Sequence, residues 1–186
     1  PPRSTLFPYT TLFRSYNFAN VSSFCERVVV KANQAVSVPE EVPMSAASLI
    51  GCGVLTGSGA VFNRAQVQPG ESVAVLGVGG IGLNAIQAAA LSGAHPVIAV
   101  DTNPDKADLA ATFGATDFVD ASEVDANLGI RAVRPTGVDY VFECVGAKAL
   151  IEAAVSYLDW GGTLVILGVP PLGSTVEFVD QKTAHV

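Results

Sequence analysis

Six residues, Gly77-Val78-Gly79-Gly80-Ile81-Gly82, restrict the fold of this chain more than any other stretch. They follow an apolar run, Val73-Ala74-Val75-Leu76, and open a helix-compatible run over residues 81–91. A second apolar run, residues 96–100, ends on Asp101, nineteen residues past Gly82. Gly-x-Gly-x-x-Gly alone says little. Between a strand and a helix, with an acid about twenty residues on, it is the fingerprint of a dinucleotide-binding turn.

Each part has a physical reason. Gly77 permits the tight turn out of the strand. Gly79 and Gly80, lacking Cβ atoms, let the backbone approach a pyrophosphate, and Gly82 lets the helix pack close to the sheet. The helix N-terminus offers free N–H groups and its positive dipole end to phosphate. Asp101 accepts hydrogen bonds from a ribose diol and repels a 2′-phosphate. The reading is therefore NAD in preference to NADP.

The segments downstream alternate. A helix is expected from Asn103-Pro104-Asp105 to about Phe113, with Pro104 in its first turn and Gly114 ending it. Strands are expected at 117–120, 138–143 and 163–168, and helices at 125–133 and 147–158, the last stopped by Gly161-Gly162. Strand and helix in alternation mean an α/β fold: a Rossmann-type doubly wound parallel sheet with helices on both faces. Two complete mononucleotide halves have six strands, and five can be counted here, so the sheet is expected to be truncated at its C-terminal side. Upstream, residues 24–30 read as a strand. Residues 44–63 form a small-residue, helix-compatible run interrupted by Gly51 and Gly53.

Composition excludes several classes. The net charge of −7 is unsuited to nucleic acid or anionic membrane surfaces. No Asp, Glu, Lys or Arg occurs over residues 72–100, and none over residues 42–63. Both runs are long enough to span a bilayer, but glycines break both, and buried parallel strands have this composition. Cys25, Cys52 and Cys144 are odd in number and widely spaced, which fits a reducing cytoplasm and no disulfide framework.

Residues 1–15 have no helical period and no acid, and resemble translated sequencing adapter. Excluding them removes Arg3 and Arg14. The expected organisation is a non-native segment 1–15, a β remnant 16–43 of another domain, and a nucleotide-binding domain 44–186, incomplete at its C-terminus.

Upstream of the fingerprint, Cys52 stands between Gly51 and Gly53, with Thr56 and Gly57 following. Such a thiol is a nucleophile, a metal ligand or an inert buried group; the residues alone leave all three open. Together with Gly77 to Gly82, Asp101 with Lys106, Phe142-Glu143-Cys144-Val145-Gly146 and Gly168-Val169-Pro170-Pro171, this pattern resembles the zinc-dependent medium-chain alcohol dehydrogenases. The resemblance covers residues 23–178 and leans to the class III, formaldehyde dehydrogenase-like branch.

The resemblance implies that residues 16–43 are a remnant of the GroES-like catalytic domain and that Cys52 is one of three protein ligands of a catalytic zinc. It places Thr56 and Ile81 by the nicotinamide, Asp101 and Lys106 on the adenosine ribose, and Val145, Leu167, Gly168 and Val169 along the cofactor cleft. It implies hydride transfer between a small alcohol, or a hemithioacetal-type adduct, and NAD, with zinc acting as Lewis acid. A homodimeric or homotetrameric parent is implied too.

One departure matters. The family's remaining zinc ligands, a Cys and a His in its first half, have no counterpart, since the only histidines are His95, in a loop, and His185, next to last. Cys25 and Cys144 read as structural. The chain is thus expected to be an inactive fragment. Two other readings compete: a zinc-free reductase of the quinone-oxidoreductase kind and a non-catalytic NAD-sensing module. Trp160 is expected to pack at a helix end. Asp120, Glu123 and Asp125 are read as a solvated face, and Asp139 and Glu143 as structural or cofactor-cleft residues.

Overall fold

The structure, a computed structural model, describes residues 26–178. The adapter-like segment, Phe24, Cys25 and His185 lie outside the described residues. The chain divides into two compact units, Pro1–Pro43 and Met44–Val186.

In the first unit the described residues form one 3-10 turn, Ala32–Gln34, and otherwise extended or bent chain. The strand expected at 24–30 is absent from residue 26 onward. A strand persists only as a member of a ladder or a packed face. No described strand pairs with this segment, and Val29 is 88% exposed.

The second unit begins with a long helical segment, α1 (Met44–Ala65). Gly51 and Gly53 do not interrupt it, contrary to expectation. The helix instead widens to π geometry over Ile50–Val54 and again over Ala60–Ala65, and ends at Gln66, whose φ is 55°. By length and composition α1 could cross a membrane. In the structure it is docked through Gly57, where an added Cβ would meet Asn84 Cβ at 2.8 Å and Ala85 N at 2.9 Å, as well as the Ile81 carbonyl.

Then come β1 (Val73–Leu76), α2 (Gly80–Leu91), β2 (Val97–Asp101), a 3-10 turn Pro104–Lys106 running into α3 (Ala107–Thr112), β3 (Asp117–Asp120), α4 (Ala126–Val133), β4 (Val138–Glu143), α5 (Lys148–Ala154) and β5 (Leu158–Ile166). The five strands pair in parallel in the order β3-β2-β1-β4-β5. This is the Rossmann-type α/β sheet expected, with β1 at its centre.

Strand periodicity of two sorts side chains onto two cores. Val73, Val75, Val97, Ala99 and Phe142 pack with Ala85, Ile86 and Ala89 of α2 on one face. Ala74, Leu76, Ile98, Val100 and Val141 pack with Ala126 and Ile130 of α4 and Ala154 on the other. Burying a side chain of this size contributes about 1.5–3 kcal/mol. In α2 the buried residues Gly82, Ala85, Ile86 and Ala89 follow helical spacing and are mostly small, so the helix axis lies close to the sheet.

The expected end of α5 is corrected. The helix gives way to a 3-10 turn, Val155–Tyr157, and β5 already starts at Leu158. Gly161-Gly162 lie inside β5, where the register against β4 jumps from Val138↔Leu158 to Tyr140↔Thr163. Gly161 takes φ 78°, and a Cβ on Gly162 would meet the Val138 carbonyl at 2.9 Å. The glycine pair is thus a bulge that lets the chain pass close to β4. Trp160 rides on that bulge, 78% exposed, and does not pack at a helix end.

At the amino ends of the strands, Ser72 and Asp139 cap one another. Asp139 Oδ2 accepts from Ser72 N at 2.8 Å and from Ser72 Oγ at 2.6 Å, and Ser72 Oγ accepts from Asp139 N at 3.0 Å. Ser72 is fully buried. Ser72→Ala leaves two buried backbone and carboxylate partners short of one bond each. It is expected to cost about 1–3 kcal/mol, measured as a shift of the urea unfolding midpoint. Asp120 is half-buried and Asp125 exposed, and both are bonded: Asp120 Oδ1 accepts from Ser122 N and Oγ, and Asp125 caps α4 by accepting from Leu128 N at 3.1 Å.

Candidate cofactor site

The order of strands reverses direction between β1 and β4, both of which leave the sheet at their carboxyl ends beside each other. Ligands of open α/β sheets sit at such a switch point. A cavity of about 530 Å³ lies there, lined by Gly77, Gly79, Asp101, Lys106, Val145 and Leu150 among others.

The glycines differ in what surrounds them. Gly77 has φ 91°, which an L side chain rarely adopts, and a Cβ there would also strike Val145 Cγ2 at 2.6 Å. A Cβ on Gly82 would collide with the Gly77 carbonyl and reach Val75 Cγ1 at 3.4 Å. Around Gly79 and Gly80 nothing stands within 4 Å of a Cβ position. That open space borders the start of α2, whose first N–H groups have no acceptor within the helix.

Asp101 ends β2, and its side chain is 8% exposed. Oδ2 accepts from Val78 N at 2.7 Å and from Lys106 Nζ at 2.8 Å; Oδ1 accepts from Asn103 N at 3.0 Å. The acid therefore anchors the glycine loop itself through Val78. Lys106 reaches it because Asn103 caps the following turn, accepting from Asp105 N at 3.0 Å, with Pro104 in the first turn. Burial opposes ionisation of Asp101, but the Lys106 bond, the two N–H donors and the lysine charge outweigh it and hold the carboxyl below its usual 3.8.

A depressed carboxyl stabilises the fold above the unfolded value and loses that contribution as pH falls through the folded one. The Asp101 contribution is therefore complete above about pH 5 and lost in stages below 3.8. An Asp101→Asn chain should show a shallower fall of unfolding free energy between pH 5 and pH 2 than the parent chain, read by urea titration at each pH.

The other expected site residues fall in several places. Thr56 and Leu167 line a second cleft, about 670 Å³, between α1 and strands β4 and β5, together with Arg64 and Tyr140. Val145 is half exposed, and Val169 is 87% exposed. Gly168 and Gly146 are in backbone contact: a Cβ on Gly168 would meet Gly146 Cα at 2.5 Å, and one on Gly146 would meet Val169 N at 2.7 Å. Ile81 lies in the first turn of α2, half-buried. Cys52 is an exposed free thiol within the first π turn of α1, so the inert buried alternative does not describe it. Cys144 is half-buried: desolvation, then the Glu143 carboxylate, pushes its thiol up to about 12.

Residues 80–185, more than half of the chain, match the profile of the zinc-binding dehydrogenases. This chain belongs to that family. An S-(hydroxymethyl)glutathione dehydrogenase of Escherichia coli is 40% identical over 166 residues, covering 87% of this chain and 45% of the relative. The benzyl alcohol dehydrogenase of Acinetobacter calcoaceticus superposes with a TM-score of 0.83 at 32% identity, over 89% of this chain and 46% of its own. A zinc-binding dehydrogenase relative from Sinorhizobium meliloti 1021, bound to NADP, gives a TM-score of 0.63 at 36% identity, over 69% and 38% of the two chains. The chain spans less than half the length of each.

The site fits a dinucleotide. The open backbone at Gly79 and Gly80 leaves room for phosphate, and Asp101 retains an acceptor position on Oδ1 for a diol. Zinc is different. Among the described residues no three His, Cys, Asp or Glu side chains are grouped to hold a metal ion. Cys52 alone cannot complete a three-ligand centre.

Sequence reasoning missed Val78 and left Glu143 between a structural and a cofactor-cleft role. Val78 contributes through its N–H, which no side-chain pattern announces. Glu143 is fully buried at the end of β4. Its signal was available: an acid ending an apolar strand, Val138-Asp139-Tyr140-Val141-Phe142-Glu143, has to be held by something.

Proposed function

We propose that this chain is the NAD-binding part of a zinc-dependent alcohol dehydrogenase. The whole protein would pass hydride between a small alcohol, or a hemithioacetal-type adduct, and NAD. What carries the reading is Asp101, buried at the end of β2 and bonded at once to the glycine loop and to Lys106. An acid so placed receives a ribose diol and repels a 2′-phosphate.

In this reading Gly79, Gly80 and the first turn of α2 take the pyrophosphate. Asp101 and Lys106 hold the adenosine ribose. Val145, Leu167, Gly168 and Val169 wall the cleft, while Thr56 and Ile81 stand on its nicotinamide side. Cys52 is one zinc ligand of the whole protein; a catalytic zinc polarises an alcohol or carbonyl oxygen. Residues 16–43 belong with the catalytic domain, and 44–186 form the nucleotide-binding domain. The protein is cytoplasmic and forms homodimers or homotetramers, without nucleic acid or membrane partners.

NADH fluorescence titration of the chain tests the cofactor assignment. NADH is expected to bind at least about tenfold more tightly than NADPH, a difference of about 1.4 kcal/mol. Equal or tighter NADPH binding would sink the NAD assignment. The same chain given ethanol or S-hydroxymethylglutathione with NAD is expected to form no NADH, because one thiolate does not make the zinc centre.

A further inference from the structure

Glu143 is the one described residue with a buried side-chain oxygen that has no hydrogen-bond partner. Its side chain is fully buried, and Oε2 is the unpartnered atom. Buried carboxylate oxygens are costly to leave unpaired. Four other bonds of the residue show what is gained. Oε1 accepts from Val145 N at 2.9 Å and from Gly146 N at 2.8 Å. The backbone carbonyl accepts from Leu167 N at 2.7 Å and Gly168 N at 2.9 Å.

Glu143 thus ties the turn after β4 to the turn after β5. It is also paired in the sheet with Leu76, the residue before Gly77, and with Ile166. Cys144 N, next along, donates to the Leu76 carbonyl at 2.9 Å. Three carboxyl-end segments therefore meet at one residue: those after β1 and β4 border the 530 Å³ cleft, and the one after β5 borders the second cleft. Gly146, at φ 83°, and Gly168 are pressed together by this arrangement, closer than any Cβ would allow.

We propose that Glu143 is a positioning residue for the cofactor. Through the reach of Oε1 it holds the Val145-Gly146 turn against Gly168-Val169, and so fixes where Val145 stands in the wall of the 530 Å³ cleft. It touches no cofactor itself. This rests on the cofactor reading above, and the test separates the two.

The experiment is NADH titration of the full chain and its variants at low temperature, with folding checked by circular dichroism. Glu143→Gln keeps an oxygen acceptor at the same reach and is expected to bind NADH within about threefold of the parent, whereas Glu143→Leu removes both bonds and is expected to bind at least about tenfold more weakly. Ser72→Ala, at the opposite end of the sheet, supplies the control: it lowers stability yet is expected to leave NADH affinity within about twofold. If Glu143→Leu does not fold, Glu143→Asp replaces it. Aspartate keeps the charge but falls one methylene short, and is expected to bind about fivefold more weakly or worse.

Leucine or aspartate variants that bind like the parent overturn the proposal. A folded glutamine variant as weak as the leucine one does so too, since reach is then not what matters. So does a Ser72→Ala loss equal to that of Glu143→Leu, which would mark a general effect of stability. A parent chain that binds no NADH overturns the cofactor reading itself and this proposal with it.

Discussion

Adding one methyl group at Gly82 is expected to break the fold, and adding it at Gly79 to break only the binding. At Gly82 the new Cβ meets the Gly77 carbonyl, which cannot move without the whole turn out of β1. Gly82→Ala should therefore lose about 3 kcal/mol or more, at the upper end of overpacking. At Gly79 the backbone is extended, with φ −101° and ψ −167°, which any residue adopts, and nothing stands near the added atom. Gly79→Ala should unfold within about 0.5 kcal/mol of the parent. Its NADH affinity should nevertheless fall on the order of 100-fold, because the methyl would occupy the place proposed for the pyrophosphate. Urea unfolding followed by circular dichroism, beside NADH titration, reads both effects. A Gly79→Ala chain that binds NADH as the parent does would show that the loop is no phosphate cradle.

Asp101→Asn is expected to shift the preference between NADH and NADPH toward NADPH on the order of 100-fold, about 2.8 kcal/mol. Two effects act together. The carboxylate charge that repels a 2′-phosphate is removed, and Lys106, released from its 2.8 Å ion pair, becomes available to that phosphate. The amide oxygen can still accept from Val78 N, so the glycine loop keeps its anchor. Paired titrations with the two reduced cofactors measure the shift. An unchanged ratio would mean that Asp101 holds the loop and plays no part in choosing the cofactor. The NADP-bound relative shows that a related chain takes the phosphorylated cofactor.

Most of the nucleotide-binding unit was legible because its signals are local. The turn geometry at Gly77, the close approach at Gly82, the acid closing β2 and the Asn103-Pro104 cap depend on neighbours within a few residues. Three expectations failed where the deciding contact was remote. Residues 26–30 have strand composition but no ladder to join. Gly161-Gly162 read as a helix stop, yet Val138, more than twenty residues earlier, makes them a bulge inside β5. Gly51 and Gly53 read as breaks, but α1 absorbs them in a π turn while Gly57 fastens it to α2.

By itself, then, the sequence determined the alternating α/β order, the tight glycine turn after β1 with the acid that closes β2, and the family they resemble, since hydrophobic period and glycine spacing act along the chain. Only the tertiary structure decided that Asp101 grips Val78, that Thr56 and Leu167 line a different cleft from Gly77 and Asp101, and that Glu143 joins three loop ends at the cost of an unpaired oxygen. Those are relations between strand ends far apart in the chain, and only the pairing register of the sheet brings them together.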